Sequence, residues 1–141
     1  MKRLAESRQL LVGSPAMLDR LGRPRTPAEL SRLPGLDLLR SPPKHAWEFR
    51  DPAGHLVNVG FEPRYAADDM YALRQAAEDG VGIAQLADYV VMDQIASGAL
   101  EIILPDWTLP SGIVHAVFPS RRGLSPAIRS FIDFLALEFR A

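Results

Sequence analysis

The sequence predicts an α/β fold, and three observations predict it. Short apolar runs of strand length, among them "RQLLVG", "GLDLLR" and "ALEIIL", recur along the chain. Segments of helical period stand between them, as in "AADDMYALRQAAEDG". Boundaries are sharp, because three helices open on Ser-Pro or Thr-Pro and several stop on glycine. The twelve prolines and ten glycines are spread along the chain, which fits many short elements rather than a disordered tract.

The elements follow in order. "RQLLVG" reads as a strand. Ser14 can cap the next helix, Pro15 suits its first position, and Gly22 ends it. Thr26 and Glu29 have capping-box spacing around Pro27, which predicts a second helix in "TPAELSRL". "GLDLLR" reads as a strand and "RSPPKH" as a break, because proline removes a donor and restricts its predecessor. In "AWEFRDPAGHLVNVGFEPRY", Trp47 and Phe49 alternate with Glu48 and "DPAG" supplies turn chemistry, so two antiparallel strands are expected. Asp68 or Asp69 can cap a helix whose Met70, Leu73 and Ala77 share a face, and Gly80 stops it. "VGIAQL", entered from that helix, predicts a buried parallel strand. Asp88 caps "YVVMDQIAS", Gly98 closes it, and "ALEIIL" and "GIVHAVFP" are further strands. The strongest helix is "SPAIRSFIDFLALEF", with Ile128, Phe131, Ile132, Leu135 and Phe139 on a broad apolar stripe.

Composition narrows the function. The 141 residues suit one domain or one large fragment with a core of its own. A net charge of -1 gives no electrostatic case for nucleic-acid binding by the chain as a whole. With no cysteine, disulfides, thiolate catalysis and cysteine-ligated zinc are excluded. No apolar run has the length of a membrane span, and the start lacks the apolar core of a signal peptide, so a cytoplasmic location is expected.

Catalytic constellations are missing as well. His45, His55 and His115 have no metal-ligand spacing, Asp68 and Asp69 are adjacent and do not share a helix face, and nothing supports Ser41 or Ser120 as a nucleophile. "DGVG" leaves a helix and enters a strand, the reverse of a dinucleotide fingerprint. "SRRG" and Lys44 read as solvated turns, and Trp47 and Trp107 as packing or interface residues. The chain is not expected to be an enzyme, and no cofactor or metal is expected.

The ordered phrases "LLVGSPAMLDRLGRPRTPAEL", "AAEDGVGIAQLADYVVMDQIASGALEIILPDW" and "VHAVFPSRRGLSPAIRSFIDFLALEF" resemble the effector-binding domain of LysR-type transcriptional regulators over nearly the whole chain. The resemblance implies a two-lobed α/β fold of the periplasmic-binding-protein type 2 class, present as a partial domain. It lacks the winged helix-turn-helix and the first part of the first lobe. Residues 1–35 would be the crossover strand and capped helices, 36–104 the second lobe, and 105–141 the return strand and final helix of the first lobe. The implied function is sensing: a small effector, a carboxylate or an aromatic, binds between lobes and shifts an equilibrium that an absent DNA-binding domain reads out. A solute-binding protein of a transport system shares the fold and is the alternative.

Ligand contacts are expected at Ser14, Ala67 and Asp68, because helix starts present free backbone donors. Gly82 and Ile83 are expected in a loop near the cleft, where glycine lets backbone approach a ligand, with tight packing as the competing reading. Phe118 and Pro119 are expected at a hinge or cleft edge. A homodimer is expected, since elements missing from a lobe leave sheet edge or apolar surface exposed. DNA would be reached only through the absent domain, and no membrane partner is expected.

Overall fold

Residues 2–40, 43–116, 123 and 125–139 are described by a computed structural model, and they fall into two units. The larger spans Arg8–Pro110; the smaller joins Met1–Ser7 to Ser111–Ala141.

The larger unit is built on a mixed sheet. Strand β2 (Gln9–Gly13) pairs antiparallel with β7 (Ala84–Ala87) on one side and with the short β8 (Glu101–Ile102) on the other. Strand β3 (Gly35–Leu38) pairs parallel with β6 (Pro63–Ala67). A parallel bridge from Gly35 to Ile83 joins the two sets edge to edge, with Leu36 N donating to Ile83 O (2.8 Å) and Ile83 N to Pro34 O (2.9 Å). The strand in "VGIAQL" is thus parallel to β3, as expected, but antiparallel to β2. Strand β6 lies in "FEPRY", where proline and charge hid the strand signal from the sequence.

Each sheet face carries a core. On one, Leu10, Val12, Leu36 and Leu86 pack against Leu73 and Ala77 of α2 (Met70–Glu78) and Val90 and Val91 of α3 (Asp88–Ser97). On the other, Leu11 and Ile83 pack against Met17 and Leu18 of α1 (Pro15–Leu21), Leu30 and Leu33 of a 3-10 helix (Pro27–Arg32), and Trp47 and Phe49 of a hairpin. That hairpin is β4 (Ala46–Arg50) with β5 (Leu56–Gly60), turned by Asp51, which accepts from His55 N through Oδ1 (2.8 Å). Backbone bonds between Arg50 and Thr108 tie it to the exit of the sheet.

Caps set the helix starts. Ser14 Oγ accepts from Met17 N (3.1 Å) and Asp69 Oδ1 from Tyr71 N (2.9 Å). Asp88, expected as a cap, is instead the first residue of α3: Ala87 holds the cap position without a side-chain bond, and Asp88 Oδ1 accepts from the adjacent Tyr89 N (2.8 Å). The capping box at Thr26 is only half formed. Thr26 makes no side-chain cap, Glu29 reaches back to Arg25 N (2.7 Å), and the segment winds as a 3-10 helix instead of an α-helix. Arg23 grips Glu101 with two nitrogens (2.8 and 2.9 Å) and Asp19 with a third (2.6 Å), linking the end of α1 to β8. These bonds hold the Glu101 carboxyl below the usual carboxylate range and push the guanidinium upward.

In the smaller unit, β1 (Lys2–Ser7) pairs antiparallel with β9 (Gly112–Ala116), with an irregularity between Arg3 and Ala5. Helix α4 (Pro126–Glu138) is capped by Ser125 and buries Ile132 and Ala136. Phe131, Phe134, Leu137 and Phe139 are exposed.

The two ends of the chain meet in one sheet through "KRLAES", the partner of β9, whereas "RQLLVG" belongs to the larger unit. The charges in "KRLAES" hid its strand character. Residues 8–35 share the larger unit with 36–104.

A candidate ligand pocket in the larger unit

A cavity of about 120 Å³ opens beside the C-terminal end of β3. Its walls come from Leu36, Asp37 and Leu38 of β3, Gln9 of β2, Gln85 of β7, Ala46 and Trp47 of β4, Phe61, Met70 of α2, and Arg40. Sheet geometry explains the gathering. The parallel pair β3–β6 delivers its carboxyl ends to one edge, and α2 begins directly after β6. In open α/β sheets, that edge is where ligands bind.

The apolar wall is an aromatic stack. Trp47 and Phe61 lie 4.0 Å apart at centroids and within 10° of parallel. Gly35 makes this possible, because a Cβ there would stand 2.3 Å from the Phe61 ring. Trp47 is buried, so its ring orientation is fixed by packing.

The polar lining is Gln9, Gln85, Arg40 and Asp37, of which Asp37 is buried, only 4% exposed. Its Oδ2 meets His45 Nδ1 at 2.7 Å, and His45 stands edge-on to Phe61. A buried carboxylate is costly unless hydrogen-bonded, and His45, itself about half exposed, supplies that bond. Arg40 is exposed, with Nε on its neighbour Leu38 O (3.4 Å).

Comparison with known proteins places the chain. The LysR substrate binding domain model matches residues 1–140. The chain belongs to the LysR substrate-binding domain family. It is similar to the HTH-type transcriptional regulator PtxR of Pseudomonas aeruginosa (29% identical over 133 residues, 94% of this chain and 42% of PtxR). It is also similar to the HTH-type transcriptional regulator DmlR of Escherichia coli (31% over 140 residues, 98% and 45%). The chain thus spans less than half the length of these curated relatives. Among solved structures, the regulatory domain of CrgA from Neisseria meningitidis matches with a TM-score of 0.82 at 28% identity, over 98% of this chain and 67% of that one. Full-length AphB of Vibrio cholerae matches with a TM-score of 0.84 at 23% identity, over 98% and 47%. The fold is the two-lobed α/β fold of the periplasmic-binding-protein class, as the sequence led us to expect. These relatives are transcriptional regulators and lend no support to a transport role.

Within this LysR-family chain, none of the expected contact residues that are described (Ser14, Ala67, Asp68, Gly82 and Ile83) lines this pocket. Ser14 is 4% exposed and spends its hydroxyl on Met17 N; the helix it caps has seven residues. Ile83 has no exposed surface and sits in the core. A Cβ on Gly82 would lie 2.7 Å from Pro34 O, a close backbone approach of the kind the competing packing reading requires. Ala67 ends β6 and its carbonyl accepts from Leu39 N (2.8 Å), while Asp68 is exposed beside it. Phe118 and Pro119 lie outside the described residues. Sequence reasoning missed Asp37, Trp47 and Phe61. The available signal was an acid inside "GLDLL", where a buried strand has no ordinary use for charge.

Among the described residues no group of three or more His, Asp or Glu could hold a metal ion, and no helix is long and apolar enough to cross a membrane.

Proposed function

We propose that this chain is the effector-sensing part of a LysR-type transcriptional regulator. A small molecule binds against the larger unit, and occupancy biases an equilibrium between arrangements of a longer protein. A DNA-binding domain elsewhere in that protein then reads out the shift. The observation that carries the proposal is the match of residues 1–140 to the LysR substrate binding domain. The cavity at the end of β3 supports it, because it offers an aromatic wall and one buried polar group to a ligand. The Asp37–His45 pair is the one titratable pair described at that wall, and no group of three metal-ligating side chains stands with it among the described residues. Binding therefore acts by differential affinity for two states, and no bond is made or broken.

The lobe assignment belongs to the same proposal: Arg8–Pro110 is one lobe and the smaller unit contributes to the other. So does self-association. Phe131 and Phe134, 59% and 54% exposed, lie on α4 with Leu137 and Phe139 and form an apolar surface that a second copy covers. Size-exclusion chromatography with light scattering checks this. We expect a dimer at micromolar concentration and a monomer for the double variant Phe131→Ser, Phe134→Ser; a monomeric parent contradicts it.

The sensing function is tested by a thermal-shift screen of this chain with small metabolites, followed by footprinting of a full-length regulator that carries it. A ligand of the folded form raises the melting temperature by linkage. We expect such a compound to alter the DNA footprint as well. Stabilising compounds that all leave the footprint unchanged contradict the proposal.

A further inference from the structure

The geometry points to a second surface for self-association: the outer edge of β5 pairs antiparallel with β5 of another copy of this chain, about a two-fold axis at Asn58. This contact is independent of the sensing function and of the one proposed for α4.

Register shows which backbone groups face outward. In the β4–β5 hairpin, Trp47 stands opposite Val59, Glu48 opposite Asn58, Phe49 opposite Val57, and Arg50 opposite Leu56. Arg50 exchanges both its backbone bonds with Thr108 on the far side of β4 (2.8 and 3.0 Å), so it shares none with Leu56. Bonded and non-bonded pairs alternate along an antiparallel ladder. Phe61 N on His45 O (2.9 Å) and Asp51 N on His55 O (3.0 Å) fall in the bonded set, which places Val57 and Val59 there too. The N–H and C=O groups of Leu56, Asn58 and Gly60 therefore point away from β4. Among the described residues no strand pairs with that edge. These three residues are exposed, while Val57 and Val59 are half-buried.

The edge is complementary to itself. "LVNVG" carries no charge and no proline, two of the devices that keep edge strands apart. Antiparallel pairing about Asn58 sets Asn58 against Asn58, Val57 against Val59, and Leu56 against Gly60. Each outward-facing residue then meets an outward-facing residue, and each such pair exchanges both backbone bonds. A slip by one residue would set outward groups against inward ones. Leu56, 64% exposed, lies over a residue with no side chain, and the two Asn58 amides stand side by side as mutual donor and acceptor. Five residues from each copy make a small contact, so this association is weak.

A position that faces itself can be tested by charge. Sedimentation velocity follows the 141-residue chain, Asn58→Lys, Asn58→Glu and an equal mixture of the two variants from micromolar to millimolar concentration. We expect the parent species to double in mass as concentration rises. Each variant by itself sets like charges face to face and loses that step. The mixture regains it, with an affinity at least about fivefold above that of either variant alone. Added salt should narrow the gap. The side chain at 58 is exposed, so both variants should keep the parent's melting temperature. A parent that shows no step, or a mixture that associates no better than its components, overturns the proposal, and either result leaves the sensing function standing.

Discussion

The residues from Arg8 to Pro110 and the residues on either side of them treat apolar side chains in opposite ways. In the larger unit, both core clusters are closed between Leu10 and Leu109, with Leu11, Val12, Leu30, Ile83 and Val91 all but removed from solvent. In the smaller unit, α4 buries Ile132 and Ala136 but leaves Ile128, Phe131, Phe134 and Leu137 exposed, with Phe139 exposed at its end. The two regions teach different things about amphipathic pattern. In the larger unit the pattern identifies the helix face and the sheet that covers it. In α4 the same kind of pattern identifies a helix with surface to spare.

Six substitutions can break or sharpen this contrast. The largest effect belongs to Leu11, buried at the centre of the sheet. Leu11→Ala should cost about 3 kcal/mol of unfolding free energy in urea titrations. Phe134→Ala, on the exposed face of α4, should cost under about 0.5 kcal/mol. Equal losses would mean that α4 shares the core. Next is Gly82→Ala. The backbone must move to relieve the approach to Pro34 O, at about 1–3 kcal/mol. An unchanged stability would return Gly82 to the ligand-approach reading.

The capping serines form a smaller, matched pair. Ser14→Ala should lower global stability by about 1 kcal/mol, because its hydroxyl is buried in the larger unit. Ser125→Ala should instead speed amide exchange in the first turn of α4 while leaving the urea midpoint in place. Equal shifts of the midpoint would erase the distinction between units.

The smallest effect is electrostatic. Bonding to Arg23 depresses the folded-state value of Glu101 below its ordinary 4.5. The stability this contributes is therefore present above pH 4.5 and is lost as pH falls through the depressed value. Glu101→Gln should lower the melting temperature slightly at pH 7, and the difference should shrink in acid. A difference that grows in acid reverses the sign. The pair is exposed, so added salt should weaken it too.

Much of the fold was legible because local chemistry and burial agree there. Ser14-Pro15, Asp69, Gly98 and Ser125-Pro126 marked helix ends correctly, and β2, β3, β4 and β7 announced themselves by apolar runs. Strands β1 and β6 did not, since "KRLAES" and "PRYAA" owe their extended form to backbone pairing rather than apolar content. The candidate site was least legible. Helix starts and glycines are good anion seats in principle, but Ser14 and Gly82 are closed by packing, which only the tertiary structure reveals. Asp37 drew no notice because its meaning depends on His45, eight residues on, and on an aromatic stack assembled from Trp47 and Phe61.

The contrast comes down to whether residues 8–110 form a self-sufficient folding unit. Expressing that fragment by itself and measuring its thermal unfolding tests this most directly. We predict a cooperative transition within a few degrees of that of the 141-residue chain. A fragment that melts without cooperativity contradicts it.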